Sequence, residues 1–309
     1  MSAGGGKKAI LAALTANAGI AVAKFIGAAI TGSASMLAEG VHSVADTGNQ
    51  GLLLLGQKRA QQEADELHPF GYGRNRYFYS FVVALVLFTL GAMFSVYEGI
   101  HKIQHPEELT SPLVAVTILV VAIGLETYSF ITAMRESQPL RAGASWWRFI
   151  RNSRNPELPV VLLEDTGALV GLVLALAAVL LTMVTGDPIW DGIGTLGIGV
   201  LLGTIAIVLI VEMKSLLIGE GATPDQDDKI RAGLVDGTRI DRVIHLRTQY
   251  LGPDELLVAA KVSIVPGLEI TDIAAAIDEA EARIRAEVPI ARVMYIEPDL
   301  YRTQPVQGS

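Results

Sequence analysis

Six apolar runs, at residues 8–31, 34–57, 77–100, 112–134, 158–183 and 188–213, dominate the chain as far as Met213. As a helix, each is long enough to cross a hydrocarbon layer of about 30 Å. Lipid offers no hydrogen bonds, so backbone N–H and C=O groups must be satisfied within the chain, and runs of this length fold as a helix bundle. Hydrophobic residues make up 51% of the 309 residues and charged ones only 18%, which places most of the chain in a bilayer. The expectation is an α-helical membrane protein with six transmembrane helices in a domain spanning residues 1–215. The first run starts behind Lys7 and Lys8, but its length, its interior Lys24 and the absence of a convincing cleavage site predict a retained helix.

Orientation follows from the basic residues. If the N-terminus lies inside, Lys7, Lys8, Lys58, Arg59, Arg74, Arg76, Arg135, Arg141, Arg148, Arg151, Arg154 and Lys214 are cytoplasmic, and only Lys102 falls in an outer loop. That asymmetry predicts cytoplasmic N- and C-termini in a cell inner membrane. The net charge of −8 forms no basic stripe, so nucleic acid is not an expected partner. The chain has no cysteine, which excludes disulfides and thiolate metal ligands.

Beyond Met213 the composition becomes that of a soluble module, assigned residues 216–309. The pattern predicts helices over 225–235 and 270–287 and strands over 239–249, 255–265 and 290–297. An αββαβ order of this size suggests a small open sheet with two helices on one side.

Within the second apolar run, His42 and Asp46 are four residues apart and therefore share a helix face, a spacing at which an imidazole and a carboxylate can hold one metal ion. Asn49 continues that face. Ionisable groups in hydrocarbon are costly and usually mark an ion or proton path. The competing reading is a structural hydrogen bond between helices. Lys24, Glu98 and Glu126 read as helix-packing or interfacial groups, since a lysine can snorkel to the membrane surface.

Together, the GSASMLAEGVHSVADTGNQ segment, the run Asp65-x-x-His68-Pro-Phe-Gly-Tyr72-Gly-Arg74, the six spans and the C-terminal module resemble the cation diffusion facilitator family. The Asn49-Gln50 dipeptide and the adjacent Glu164-Asp165 are similar to the subgroup that contains the mitochondrial zinc transporter nine. The resemblance implies a ferredoxin-like C-terminal domain, a homodimer, and a proton-coupled antiporter that exports divalent cations by alternating access. It also implies a transport site completed from the fifth span. There Ala168 and Leu172 occupy the usual ligand positions, so Glu164 or Asp165, or both, would supply the anionic charge. Adjacent helical residues diverge by roughly 100°, and the alternative is that the two acids are charges near the helix N-terminus. Gly167, Ala168 and Gly171 form a small-residue face that would let this helix approach the second.

The same resemblance suggests a second metal site at Asp65 and His68, although Tyr72 stands where relatives carry a third ligand. It suggests an ion pair between Arg74 and Glu220. In the C-terminal module only His245, Glu297 and Asp299 remain of a metal-binding cluster. One imidazole with several carboxylates suits Zn²⁺, with Fe²⁺, Mn²⁺, Co²⁺, Ni²⁺ and Cd²⁺ as further candidates. No cofactor is expected: partners are the divalent ion, protons, the lipid bilayer and a second copy of the chain. No nucleotide-binding loop is present, which leaves the proton gradient as the energy source. The chain lacks His-Glu-x-x-His and any nucleophile constellation, so an enzyme is not expected. The alternative function is a membrane-anchored metal sensor without transport.

Overall fold

The computed structural model describes residues 18–141, 143 and 145–301. Residues 8–17 of the first apolar run, with Lys7 and Lys8, lie outside the described residues. The chain divides into two compact units, one running through Lys58 and taking in Arg76–Lys214, the other formed by Arg59–Asn75 with Ser215 onward.

The first unit is helical: α1 (Ala18–Thr31), α2 (Ala34–Ala60), α3 (Asn75–Gln104), α4 (Pro112–Arg141), α5 (Trp146–Asn152), α6 (Glu157–Thr185) and α7 (Ile189–Ile218). Four of these, α3, α4, α6 and α7, are long and apolar enough to cross a membrane. The longer helices run past the ends of the apolar stretches because polar residues extend them once the apolar part is packed. Helix α5, capped by the Ser145 side chain, lies between the fourth and fifth apolar runs. Helix α3 carries a π-helical segment at Leu87–Met93, a distortion that often marks functional sites.

Glycines set the closest helix approach. A Cβ on Gly99 would stand 2.7 Å from the Leu196 nitrogen, and one on Gly199 would stand 2.8 Å from the Val96 nitrogen. Helices α3 and α7 therefore meet backbone to backbone, the contact that small residues permit between membrane helices. Helix α6 packs along α4.

The turn between α1 and α2 needs Gly32, which has a positive φ of 68°. Helix α2 then starts on a buried carboxylate from α7. Asp191 accepts hydrogen bonds from the Ala34 nitrogen (2.6 Å), the Ser33 hydroxyl (2.8 Å), the Ser35 hydroxyl (2.5 Å) and the Ser35 nitrogen (3.4 Å). A negative group here satisfies orphan N–H donors and meets the positive end of the helix dipole. Asp191→Ala strips these donors inside a buried end, and an expected loss of about 2–4 kcal/mol should appear as a lower unfolding midpoint of the detergent-purified chain. An unchanged midpoint would refute this account of the cap.

The second unit contains α8 (Pro224–Leu234), β1 (Ile240–Gly252), β2 (Glu255–Ile264), α9 (Ile270–Glu287) and β3 (Ala291–Asp299). Each lies within a few residues of its expected span. Strand β2 is central, antiparallel to β1 and parallel to β3, the latter because α9 carries the chain back across the sheet. Period-two patterning buries Leu256, Val258, Ala260, Val262 and Ile264 against Ile230 and Leu234 of α8 and Ala276, Ala280 and Ile284 of α9. Helix α8 begins with a reciprocal capping box between Thr223 and Gln226, with Pro224 at its first position.

The turn into β1 rests on Asp236. Burial pushes its carboxyl upward, but the backbone N–H groups of Ile240, Arg239 and Thr238, at 2.8–2.9 Å, outweigh this and hold it far below the usual carboxylate range. Because the folded value lies below the unfolded one, the stabilisation is complete above about pH 4 and is lost as acid takes the solution down through the depressed value. Asp236→Asn should therefore cost stability at neutral pH and progressively less on acidification. A loss independent of pH would contradict that assignment.

Candidate metal site in the helical unit

Helices α2 and α6 build the site, with α1, α3 and α4 around it. His42 is fully buried on α2, its Nδ1 3.5 Å from Asp46 Oδ1. That is too long for a good hydrogen bond. Both ring nitrogens of His42, Asp46 Oδ1 and Asn49 Oδ1 are buried without a hydrogen-bond partner. Unsatisfied polar atoms gathered on one helix face call for a ligand or a rearrangement that would satisfy them. Gly91, in the π segment of α3, stands beside the imidazole: a Cβ there would lie in ordinary contact, 3.9 Å from His42 Nδ1, and closer, 3.1 Å, to Leu202 of α7.

From α6, Glu164 turns toward α2 and accepts a 2.7 Å hydrogen bond from Asn49 Nδ2. Its carboxyl also meets that of Asp46. Asp165 turns the other way, toward Ser129 of α4, whose hydroxyl donates to it at 3.4 Å. Asp46, Glu164 and Asp165, with Ser43, Gln50, Glu126 and Ser129, line one cavity of about 30 Å³. That is room for a water or a bare ion. The divergence of neighbouring helical residues thus separates the two acids: Glu164 faces the His42–Asp46 stripe and Asp165 lies across the cavity. Among the described residues no three His, Asp or Glu side chains stand as a preformed ligand group. For Glu164 to act as a ligand it would have to turn away from Asn49.

Gly171 approaches α2, as the small-residue face suggests, but Gly167 does not. A Cβ on Gly171 would stand 2.5 Å from Glu39 Oε1, whereas one on Gly167 would meet Ile205 of α7. The two glycines share a face, but at the level of Gly167 the neighbours are Ile205 and Leu202 of α7, whereas at Gly171 the Glu39 side chain of α2 reaches in.

Behind the cavity lies a pair that hydropathy reading missed. Lys24 of α1 is buried, not snorkelling, and donates to Glu39 Oε2 (3.2 Å) and to the Ser43 hydroxyl (2.7 Å).

Residues 10–218 match the family model described as the cation efflux transmembrane domain. The chain belongs to the cation efflux family. It is a multi-pass membrane protein of a transporter family, not an enzyme family. Over 257 residues it is 34% identical to the mitochondrial proton-coupled zinc antiporter SLC30A9 of Homo sapiens, covering 82% of this chain and 45% of that protein. Metal tolerance protein C4 of Arabidopsis thaliana is 31% identical over 230 residues, 74% of this chain and 50% of that protein. Magnetosome protein MamB of Paramagnetospirillum magneticum is 24% identical over 285 residues, 91% of this chain and 89% of that protein. The chain thus spans about half the length of the first two of these relatives.

Elsewhere in this cation efflux protein, the other candidate ligands have different partners. In the 59–75 segment Tyr72 donates a 2.6 Å hydrogen bond to Asp65 Oδ2, and the His68 backbone N–H donates to Oδ1 at 2.6 Å. These two bonds, the tyrosine's first, hold the Asp65 carboxyl below its usual range. His68 Nδ1 stands 3.4 Å from the same carboxylate. Tyr72 therefore serves as a hydrogen-bond donor where a ligand was sought. Arg74 is exposed, and no ion pair to it is among the described contacts. Arg76 instead ties α3 to α6 through Glu157, at 2.5 and 2.9 Å. The Glu220 carbonyl accepts from the Tyr250 nitrogen.

On the open face of the sheet, His245, Lys261 and Glu297 lie in one register row across β1, β2 and β3. The Lys261 ammonium stands 2.9 Å from Glu297 and 3.4 Å from Asp299, while His245 Nε2 accepts from Arg247. A cation already occupies the acids.

Proposed function

We propose that this chain is a proton-coupled antiporter that exports a divalent transition metal, best matched to Zn²⁺, by alternating access. The observation that carries it is the meeting of Asp46 and Glu164 at one small cavity, with His42 one helical turn before Asp46 and its Nδ1 3.5 Å from that carboxylate. Two carboxylates and one neutral imidazole balance a divalent charge in a dry site, which an isolated carboxylate pair could not sustain. These ligands coordinate only when deprotonated, so cation and protons compete for the same atoms. A cation entering from the cytoplasm displaces protons. When the bundle reorients, protons from the more acidic side titrate the ligands and release it. The carboxylates take up protons as the cation leaves, so the cavity stays near neutrality in both halves of the cycle.

In this reading six spans form a transport domain over residues 1–215, with both termini cytoplasmic in a cell inner membrane. Residues 216–309 form a ferredoxin-like module that joins two copies. The matched antiporter's name supports zinc and proton coupling. Against a sensor without transport stands Lys261, which already pairs with Glu297 and Asp299, the two candidate acid ligands of the soluble module.

The test is Zn²⁺ uptake into proteoliposomes with an acidic lumen, with lumenal pH followed at the same time. Uptake accompanied by lumenal alkalinisation is expected. Equal uptake without a gradient would remove the proton coupling, and no uptake of Zn²⁺, Fe²⁺, Mn²⁺ or Co²⁺ would return the chain to a sensor role.

A further inference from the structure

At the end of α3, away from the buried cavity, two of the five histidines come together. His101 and His105 are four residues apart, both exposed, with ring centroids 5.0 Å apart and planes inclined by 31°. Helix α3 ends at Gln104, but the His105 nitrogen still donates to the His101 carbonyl at 2.9 Å, so the pair keeps helical spacing. Tyr97, one turn earlier, stacks on His101 with planes 19° apart.

We infer that His101 and His105 form a second divalent-cation site, a two-imidazole clamp at this end of the bundle. With metal–nitrogen bonds of about 2.1 Å the ion stands roughly 3.2 Å from each ring centroid; two rings then have centroids about 4.6 Å apart at a right angle and about 5.3 Å apart at the tetrahedral angle. The observed separation lies between those limits, so the two rings stand at a spacing that one ion can bridge. The nearest basic group does not oppose the ion: Lys102 donates to the Gly32 carbonyl at 2.9 Å and lies 3.4 Å from Glu107. The remaining coordination positions go to water, which makes the site weaker than a four-ligand one and open to exchange. Two imidazoles without carboxylate favour Cu²⁺ over Ni²⁺ and Zn²⁺, and discriminate against Mn²⁺. The orientation proposed above makes this end the one from which cargo leaves, and the site would receive ions there; binding itself does not depend on that orientation.

The experiment is equilibrium dialysis of Zn²⁺ against the full-length, untagged chain in detergent, comparing the parent with His101→Gln/His105→Gln and with Asp46→Asn/Glu164→Gln. The histidine variant is expected to lose about one Zn²⁺ per chain, each single substitution to weaken that site at least tenfold, and Cu²⁺ to displace the ion from the parent. An unchanged Zn²⁺ count in the histidine variant overturns the clamp whatever the acid variant does. A loss in the histidine variant with no loss in the acid variant leaves the clamp standing and removes the cavity as a binding site.

Discussion

Asp46→Asn and Glu164→Gln are each expected to lower gradient-driven metal flux by about a hundredfold or more, whereas Asp165→Asn lowers it less than about tenfold. All three replacements keep size and one hydrogen-bonding oxygen, so they change charge with little change in packing. In Glu164→Gln the new amide oxygen can still accept from Asn49, the 2.7 Å contact of the parent, which keeps α6 in register with α2. What would be lost, in the proposed transport site, is one of two anions that face the divalent ion. A buried charge left without its partner costs several kcal/mol, and each 1.4 kcal/mol is about a factor of ten in rate or affinity. Asp165 belongs to the same cavity but is turned to Ser129, so its charge acts at longer range. The measurement is initial Zn²⁺ uptake in proteoliposomes at matched protein density. Equal damage from Asp165→Asn and Glu164→Gln would mean that both acids bind the ion, and flux intact in Asp46→Asn would sink the site.

That ranking depends on geometry that spacing alone could not supply. Sequence reading placed His42, Asp46 and Asn49 on one face because i, i+4 spacing is a property of the helix itself. It left Glu164 and Asp165 open, because choosing between them requires the rotation of α6 relative to α2, which is set by Gly171 against Glu39 and by α7 on the Gly167 side. Strand and helix bounds in the second unit came out within a few residues for the same local reason: period-two burial in β2 and the Thr223 capping box are written in neighbouring residues. By contrast, Asp191 reaches α2 from 157 residues away, and no local pattern announces an N-cap on another helix. The π segment at Leu87–Met93 was equally silent, since its apolar residues satisfy an α-helical pattern just as well.

The second unit shows what residue type alone leaves out. His245, Glu297 and Asp299 form a candidate site when residues are sorted by type, because the sequence shows the acids and the imidazole but not the row they share. Once the register is known, Lys261 falls between them, and its ammonium meets both carboxylates. The composition contained the lysine, but only strand pairing made it a neighbour.

Lys24→Met, with Glu39 left in place, is expected to destabilise the helical unit by about 3–5 kcal/mol, and Lys24→Met/Glu39→Gln to recover most of that loss. The sequence left Lys24 open as a helix-packing or an interfacial group, and the interfacial reading, with a snorkelling lysine, predicts an exposed ammonium and a mild effect. Instead the ammonium is enclosed between Glu39 and Ser43, and neither charged group reaches solvent. Two buried charges that cancel are tolerable; one left alone is not. Glu39 Oε1 occupies the space beside α6 that a Cβ on Gly171 would fill. The neutral double variant removes the demand for a partner. The comparison is made on unfolding midpoints of detergent-purified protein, and equal losses in the single and double variants would show that packing, not charge, holds the pair. Since Ser43 lines the cavity and Glu39 lies one helical turn before His42, the pair fixes how α1 packs against the His42–Asp46 stripe of α2. The double variant should therefore keep Zn²⁺ uptake within about tenfold of the parent, provided the neutral pair preserves that packing. A stable double variant without uptake would instead place the Lys24 charge in the transport cycle itself.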